Sequence, residues 1–152
     1  TVRQNLENIV ESDKENIMSA WIADFDTSSL VQSDGYISGE DWVFTERVWY
    51  KQCEETGKTV LTEPYTDPAS GQVILSAVTP VYDGSGNMTG VTGIDISMGN
   101  MDKVMASYKI GNRGYVFLVS AGGVIIYHPE ESFRQKNIAE AGVSQNIIDA
   151  VT

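Results

Sequence analysis

The chain has 152 residues, 41% of them hydrophobic and 20% charged, which suits one folded domain with a real core and excludes a disordered chain. Its formal net charge of −11 argues against nucleic acid and anionic membrane surfaces as partners, because both require clustered Lys and Arg. A single cysteine (Cys53) and a single histidine (His128) exclude an internal disulfide and a histidine metal cluster, and no apolar run approaches the roughly 18 residues of a membrane span.

Taken in chain order, Leu6, Ile9, Val10 and Ile17 recur near helical spacing and predict a helix over 2–17. It lacks an evident N-cap and reads as the end of a longer helix. Met18–Ser38 then alternates as a strand, a polar turn and a short extended piece. Thr45 reads as an N-cap, with a helix running to Gly57 as its stop. Thr59–Glu63 is extended, and Pro64–Pro68 reads as a rigid loop. Gln72–Tyr82 and Met88–Ile96 predict a long hairpin around Asp83–Asn87. Met98–Tyr108 follows as a helix with Met101, Val104 and Met105 on one face. Gly114–Val119 and Val124–Tyr127 make a second hairpin, and Phe133–Thr152 is weakly helical. A two-stranded hairpin is marginal alone, so this second unit reads as incomplete.

The segment Trp42–Tyr50 sets one arginine, Arg47, among Trp42, Phe44, Trp49 and Tyr50. A guanidinium is most useful where its planar fork grips a carboxylate in a dry site, and the aromatic rings supply shape. A pocket for a small acid is one reading; a surface ion pair of Arg47 with Glu46 or Asp67 is the other. The rings of Trp49 and Tyr50 are equally readable as core packing. Asp95 lies between Ile94 and Ile96, so alternation turns it to the opposite face from both, toward either solvent or a pocket. Tyr65 reads as a turn aromatic or a pocket residue, and Asp67 before Pro68 as an Asx-turn former or a pocket acid. His128 before Pro129 reads as structural, Asp24 and Asp26 as turn residues, and Gly84-Ser85-Gly86 as a hairpin turn rather than a phosphate loop. No nucleophile–base arrangement is visible, so no catalytic residue and no enzyme are expected.

The segments "RVWY", "TEPYTD", "ILSAVTPVYD" and "GVTGIDIS", in this order, with "GYVFLVSAGGVIIYHP" after them, resemble the double Cache sensor domains of bacterial chemoreceptors and sensor kinases over about residues 1–137. The resemblance implies an α+β, PAS-like Cache fold with a long N-terminal helix and an antiparallel-sheet, membrane-distal module; a second, membrane-proximal module is only partly present. The implied organisation is a signalling helix over 1–17, the ligand-binding module over 18–97, a connecting helix over 98–112 and the partial module over 113–152.

Within that family the amino-acid-binding subgroup has an aromatic, Arg-x-Trp-Tyr, a later loop Tyr and a strand-end Asp. By this resemblance Arg47 and Trp49 hold a ligand carboxylate, Tyr50, Tyr65 and Asp95 surround its ammonium group, and Asp67 is a further pocket acid. Trp42 departs from the pattern, which has Tyr there; an indole only donates, so a hydroxyl contact to the amine is lost. The implied role is an extracytoplasmic ligand-binding domain of a membrane receptor (a chemoreceptor or sensor kinase in signal transduction) with a small amino acid as ligand. It would use neither cofactor nor metal, and would be homodimeric in the full-length receptor, with membrane spans outside this segment. The alternatives are a sensor of a carboxylate lacking an amine and a ligand-free dimerisation module.

Overall fold

The computed structural model describes residues 1–108, 110–112 and 114–151. They form two compact units, Thr1–Ser97 and Met98–Thr152.

The first unit opens with α1 (Val2–Ser12), which buries Leu6. Thr1 does cap it: its hydroxyl accepts the Gln4 amide at 3.3 Å, a bond that the sequence reading overlooked. The helix also stops short of Ile17. The Asp13 carbonyl takes the amides of Asn16 and Ile17, and the Asp13 carboxylate holds the Asn16 side chain, so the chain turns and Ile17 starts a strand.

That strand, β1 (Ile17–Asp24), is followed by β2 (Ser29–Gln32), and both reflect the alternating apolar pattern. A 3-10 turn (Phe44–Glu46) precedes α2 (Val48–Thr56). Thr45 is inside that turn and is not the N-cap; Arg47 is, in extended conformation with φ −79° and ψ 140°. Gly57 closes α2 in the left-handed region at φ 61°, where a side chain would be strained. β3 (Val60–Leu61) and β4 (Tyr65–Thr66) come next, so the expected rigid loop contains a strand. The long hairpin is β5 (Val73–Tyr82) and β6 (Met88–Ser97).

The antiparallel sheet has the order β2-β1-β6-β5-β3, with β4 also paired to β5. α1 packs on β1 and β2, and α2 on β5. Register decides what shares the face beneath α2. Ser19 of β1, Asp95 of β6 and Ser76 of β5 stand in one cross-strand row, and Trp21, Gly93 and Val78 in the next. Trp21 and Val78 join Ala23, Leu30, Trp49, Cys53 and Val91 in the core. Gly93 is required there, since a Cβ would lie 2.6 Å from Trp21 Cζ2 and 2.9 Å from Val78 Cγ1.

The second unit contains α3 (Met98–Ser107), the short hairpin β7 (Leu118–Val119) and β8 (Ile125–Tyr127), and α4 (Gln145–Val151). The first strand of the hairpin is far shorter than the expected Gly114–Val119, because Gly114 closes a turn on the Ile110 carbonyl instead. Val104 is 47% exposed, so the expected helix face is only partly covered. The tail is helical only in α4; Gln135 at φ 62° and Gly142 at φ 73° interrupt it, while Ile138 is fully buried in irregular chain. Thr152, the end of the expected tail helix, and Arg113, the expected start of the last module, lie outside the described residues. Ile125, Ile138 and Ala141 form the core of this unit. An ion pair joins Asp102 to Arg134, whose guanidinium also lies over the Tyr127 ring.

Candidate functional site

A cavity of about 220 Å³ opens in the first unit between the sheet face, the start of α2 and the segment 65–69. Drug-sized sites occupy about 300–1,000 Å³, so this one matches a much smaller molecule. Trp42, Arg47, Trp49, Tyr65, Asp67 and Asp95 all line it. Six of the seven residues expected from sequence are therefore brought together. Tyr50 is the exception. It is not among the lining residues; its ring packs on Phe25 and Phe44, and its hydroxyl donates to Glu54 Oε1 at 2.9 Å. That bond to a carboxylate pushes the phenol pKa up.

At one end stands Arg47. As the N-cap of α2 it precedes a helix terminus that no side chain caps, and the next two residues, Val48 and Trp49, also line the cavity. Free N–H groups at a helix start favour an anion. The guanidinium lies 5.5 Å from the Trp42 ring centroid, in range for a cation–π contact. Among the described residues Arg47 has no ion pair, neither with Glu46 nor with Asp67, and its Nε is buried without a hydrogen-bond partner. A buried donor without an acceptor carries a cost that an incoming acceptor would relieve. Trp49 is 4% exposed and its ring lies 4.9 Å from Trp21 and 6.2 Å from Trp42, which makes it both core and cavity wall.

At the other end, Asp95 is 5% exposed and turned toward the cavity rather than solvent. Its Oδ2 accepts Ser19 Oγ at 2.5 Å; its Oδ1 accepts Ser76 Oγ at 2.6 Å and Trp21 Nε1 at 2.9 Å. A carboxylate offers about four acceptor sites, which leaves capacity for one further donor. Because Ser76 donates its only proton to Asp95, the 2.8 Å contact of Tyr65 with Ser76 runs from the phenol to the serine oxygen. Burial pushes the Asp95 carboxyl above the usual range, against the three hydrogen bonds that favour its charge. Burial also raises the Tyr65 phenol, which senses Asp95 and Asp67 as raising charges and Arg47 as a lowering one. This hydroxyl thus lies within the field of both ends of the site.

Asp67 has two roles. Its Oδ2 caps the loop by accepting the Ser70 amide (2.8 Å) and hydroxyl (2.6 Å), while its side chain also borders the cavity. Sequence reasoning missed Trp21, Ser19 and Ser76, which build the Asp95 end. A signal existed: each serine interrupts an apolar strand in the same way, as Met18-Ser19-Ala20 and Leu75-Ser76-Ala77. No group of three or more His, Cys, Asp or Glu among the described residues is arranged to hold a metal, and no described helix is long and apolar enough to cross a membrane.

The chain matches the family model dCache_1, a Cache domain, over residues 1–151. It belongs to the Cache domain family. This Cache domain is 40% identical over 95 residues to the methyl-accepting chemotaxis protein PscA of Pseudomonas syringae pv. tomato, which is 62% of this chain and 15% of the receptor. The methyl-accepting chemotaxis protein PctB of Pseudomonas aeruginosa is 37% identical over 94 residues, again 62% and 15%. Among solved structures, the PctB ligand-binding domain in complex with L-Gln superposes with a TM-score of 0.75 at 28% identity, covering 91% of this chain and 56% of that one. The Pseudomonas fluorescens CtaA ligand-binding domain in complex with L-serine gives 0.76 at 30% identity, covering 92% and 59%. The matches therefore span 15% of those receptors and somewhat over half of the solved ligand-binding domains.

Proposed function

We propose that the first unit is the ligand-binding module of a bacterial chemoreceptor or sensor kinase and that it binds a small α-amino acid at both its charged groups. The carboxylate goes to the Arg47 guanidinium and the open N-terminus of α2; the ammonium goes to Asp95, with Tyr65 beside it. The observation that carries this reading is that one small cavity holds both an arginine with no ion pair and a buried carboxylate with one acceptor site to spare. Relatives solved with L-Gln and L-serine support it. An ammonium is also the partner that a buried carboxylate needs.

In this reading the domain acts by binding rather than catalysis; the single histidine, His128, belongs to the second unit, where its Nδ1 accepts the Glu130 amide at 3.0 Å. The receptor in this reading sits in the cell membrane, with this domain outside the cytoplasm and paired with a second copy of itself. Ligand contacts with β1, α2 and the 65–69 segment would favour one conformation of the unit, and α1, packed on β1 and β2, would carry that preference onward. Isothermal titration calorimetry against amino acids and simple carboxylates tests the core of this. Arg47→Ala should abolish measurable binding, and binding that survives the substitution unchanged rules out the carboxylate clamp.

A second reading, a carboxylate ligand without an amine, draws on the upward shift of Asp95, which favours its neutral form. Asp95→Asn distinguishes the two, since only an amine-bearing ligand should lose most of its affinity.

A further inference from the structure

We propose that a second chamber beside the cavity receives the ligand side chain and selects side chains that end in N–H donors: guanidinium, ammonium or carboxamide. This rests on the two-ended amino-acid site proposed above. The chamber, about 330 Å³, is open to solvent along the exposed residues Asp34, Tyr36, Ala69, Ser70 and Gln72; it shares Gln32, Tyr36, Asp67 and Ala69 with the first cavity and reaches its acidic end at Ser19, whose hydroxyl donates to Asp95. A ligand held by its carboxylate at Arg47 and its ammonium at Asp95 has its side chain left to pass along this shared wall.

The lining defines the chemistry. Asp34 and Asp67 supply two carboxylates, Gln32 and Gln72 two amides, and no lysine or arginine borders the chamber. Asp34 Oδ1 takes the Tyr36 amide at 2.8 Å, and its second oxygen stays available. Asp67 is pinned by Ser70, which fixes its charge at the boundary between the two chambers. Such a wall is rich in acceptors and negative. A side chain bearing N–H groups meets partners there, a carboxylate side chain meets like charge, and an aliphatic one covers polar groups while touching only Met18 and Tyr36 as large apolar neighbours.

The test is calorimetric titration of the chain with L-alanine, L-leucine, L-glutamate, L-glutamine and L-arginine. Alanine fits the first cavity alone and reports on the amino-acid reading itself. Glutamine and arginine should bind at least tenfold tighter than leucine, and glutamate at least tenfold more weakly than glutamine. Asp34→Asn, whose side-chain oxygen can keep the Tyr36 bond, should lower the arginine-to-alanine affinity ratio at least fivefold. If alanine binds but leucine matches glutamine and arginine, the chamber assignment is overturned while the two-ended site stands. An arginine-to-alanine ratio unmoved by Asp34→Asn overturns the assignment equally. If none of the five binds, both readings fall.

Discussion

Replacing Asp95 by asparagine or alanine separates a ligand-binding carboxylate from a structural one. Burial outweighs three hydrogen bonds in setting the Asp95 charge, since its pKa is raised and not lowered. An uncharged isostere is therefore expected to cost the ligand-free fold nothing. In Asp95→Asn the amide oxygen keeps the bonds from Trp21 Nε1 and Ser76 Oγ, and the amide nitrogen donates to Ser19 Oγ, whose hydroxyl can turn to accept. Its stability by urea denaturation should stay within about 1 kcal/mol of wild type. Asp95→Ala differs, because an indole N–H cannot turn into an acceptor. The orphaned Trp21 donor alone should cost about 1–3 kcal/mol. Both variants lose the ammonium partner, and removing one member of a buried charge pair costs roughly 2–5 kcal/mol, or about 30- to 5,000-fold in affinity. Calorimetry on Asp95→Asn should therefore show a stable protein with collapsed binding. If Asp95→Asn retains its affinity but loses stability as Asp95→Ala does, the carboxylate is a structural hub and the reasoning fails.

Three further outcomes follow from the same geometry. Gly93→Ala drives a methyl to within 2.6 Å of the Trp21 ring and should cost about 1–3 kcal/mol in stability and weaken binding, measured by urea denaturation and titration. The raised Asp95 carboxyl makes affinity for an amine-bearing ligand fall as pH drops through its folded pKa, whereas a ligand lacking an amine should not lose affinity there; in the ligand-free protein its folded state holds the proton longer, so its contribution to stability is greatest below the unfolded value of about 3.9 and declines as pH rises through the folded one, a decline that Asp95→Asn removes. Tyr50→Phe removes a hydroxyl that faces Glu54 and should leave affinity within about twofold, because the group lies away from the cavity; a larger loss would return Tyr50 to the site.

The long hairpin was legible because β5 and β6 carry apolar residues through most of their length and flank a turn rich in Gly, Asp and Asn. What lies opposite a given residue is not local information. Alternation alone leaves Asp95 between solvent and pocket, because its surroundings are set by Ser19 and Ser76, which are 76 and 19 positions away in sequence. Once β1, β6 and β5 pair in this register, the polar row becomes buried and self-satisfying. An N-cap at Thr45, which has the chemistry for it, would set Arg47 in the first helical turn. The 3-10 turn at Phe44–Glu46 takes up Thr45 first, and its closing bond from the Arg47 amide to the Phe44 carbonyl sets Arg47 in extended backbone. The helix expected for the tail failed for a different reason: its apolar residues do bury, but around left-handed backbone at Gln135 and Gly142.

All three tryptophans of the chain, Trp21, Trp42 and Trp49, border the one cavity. Each touches it differently: Trp21 through an indole N–H on Asp95, Trp42 beneath the Arg47 guanidinium, and Trp49 as the ring between them. The tryptophan emission of this protein therefore originates from the wall of its candidate site. A molecule that displaces water there, or draws the guanidinium away from Trp42, will change the spectrum without any label. The cavity wall is thus its own optical reporter, and Trp→Phe variants taken one at a time would tell which end of the site a ligand reaches.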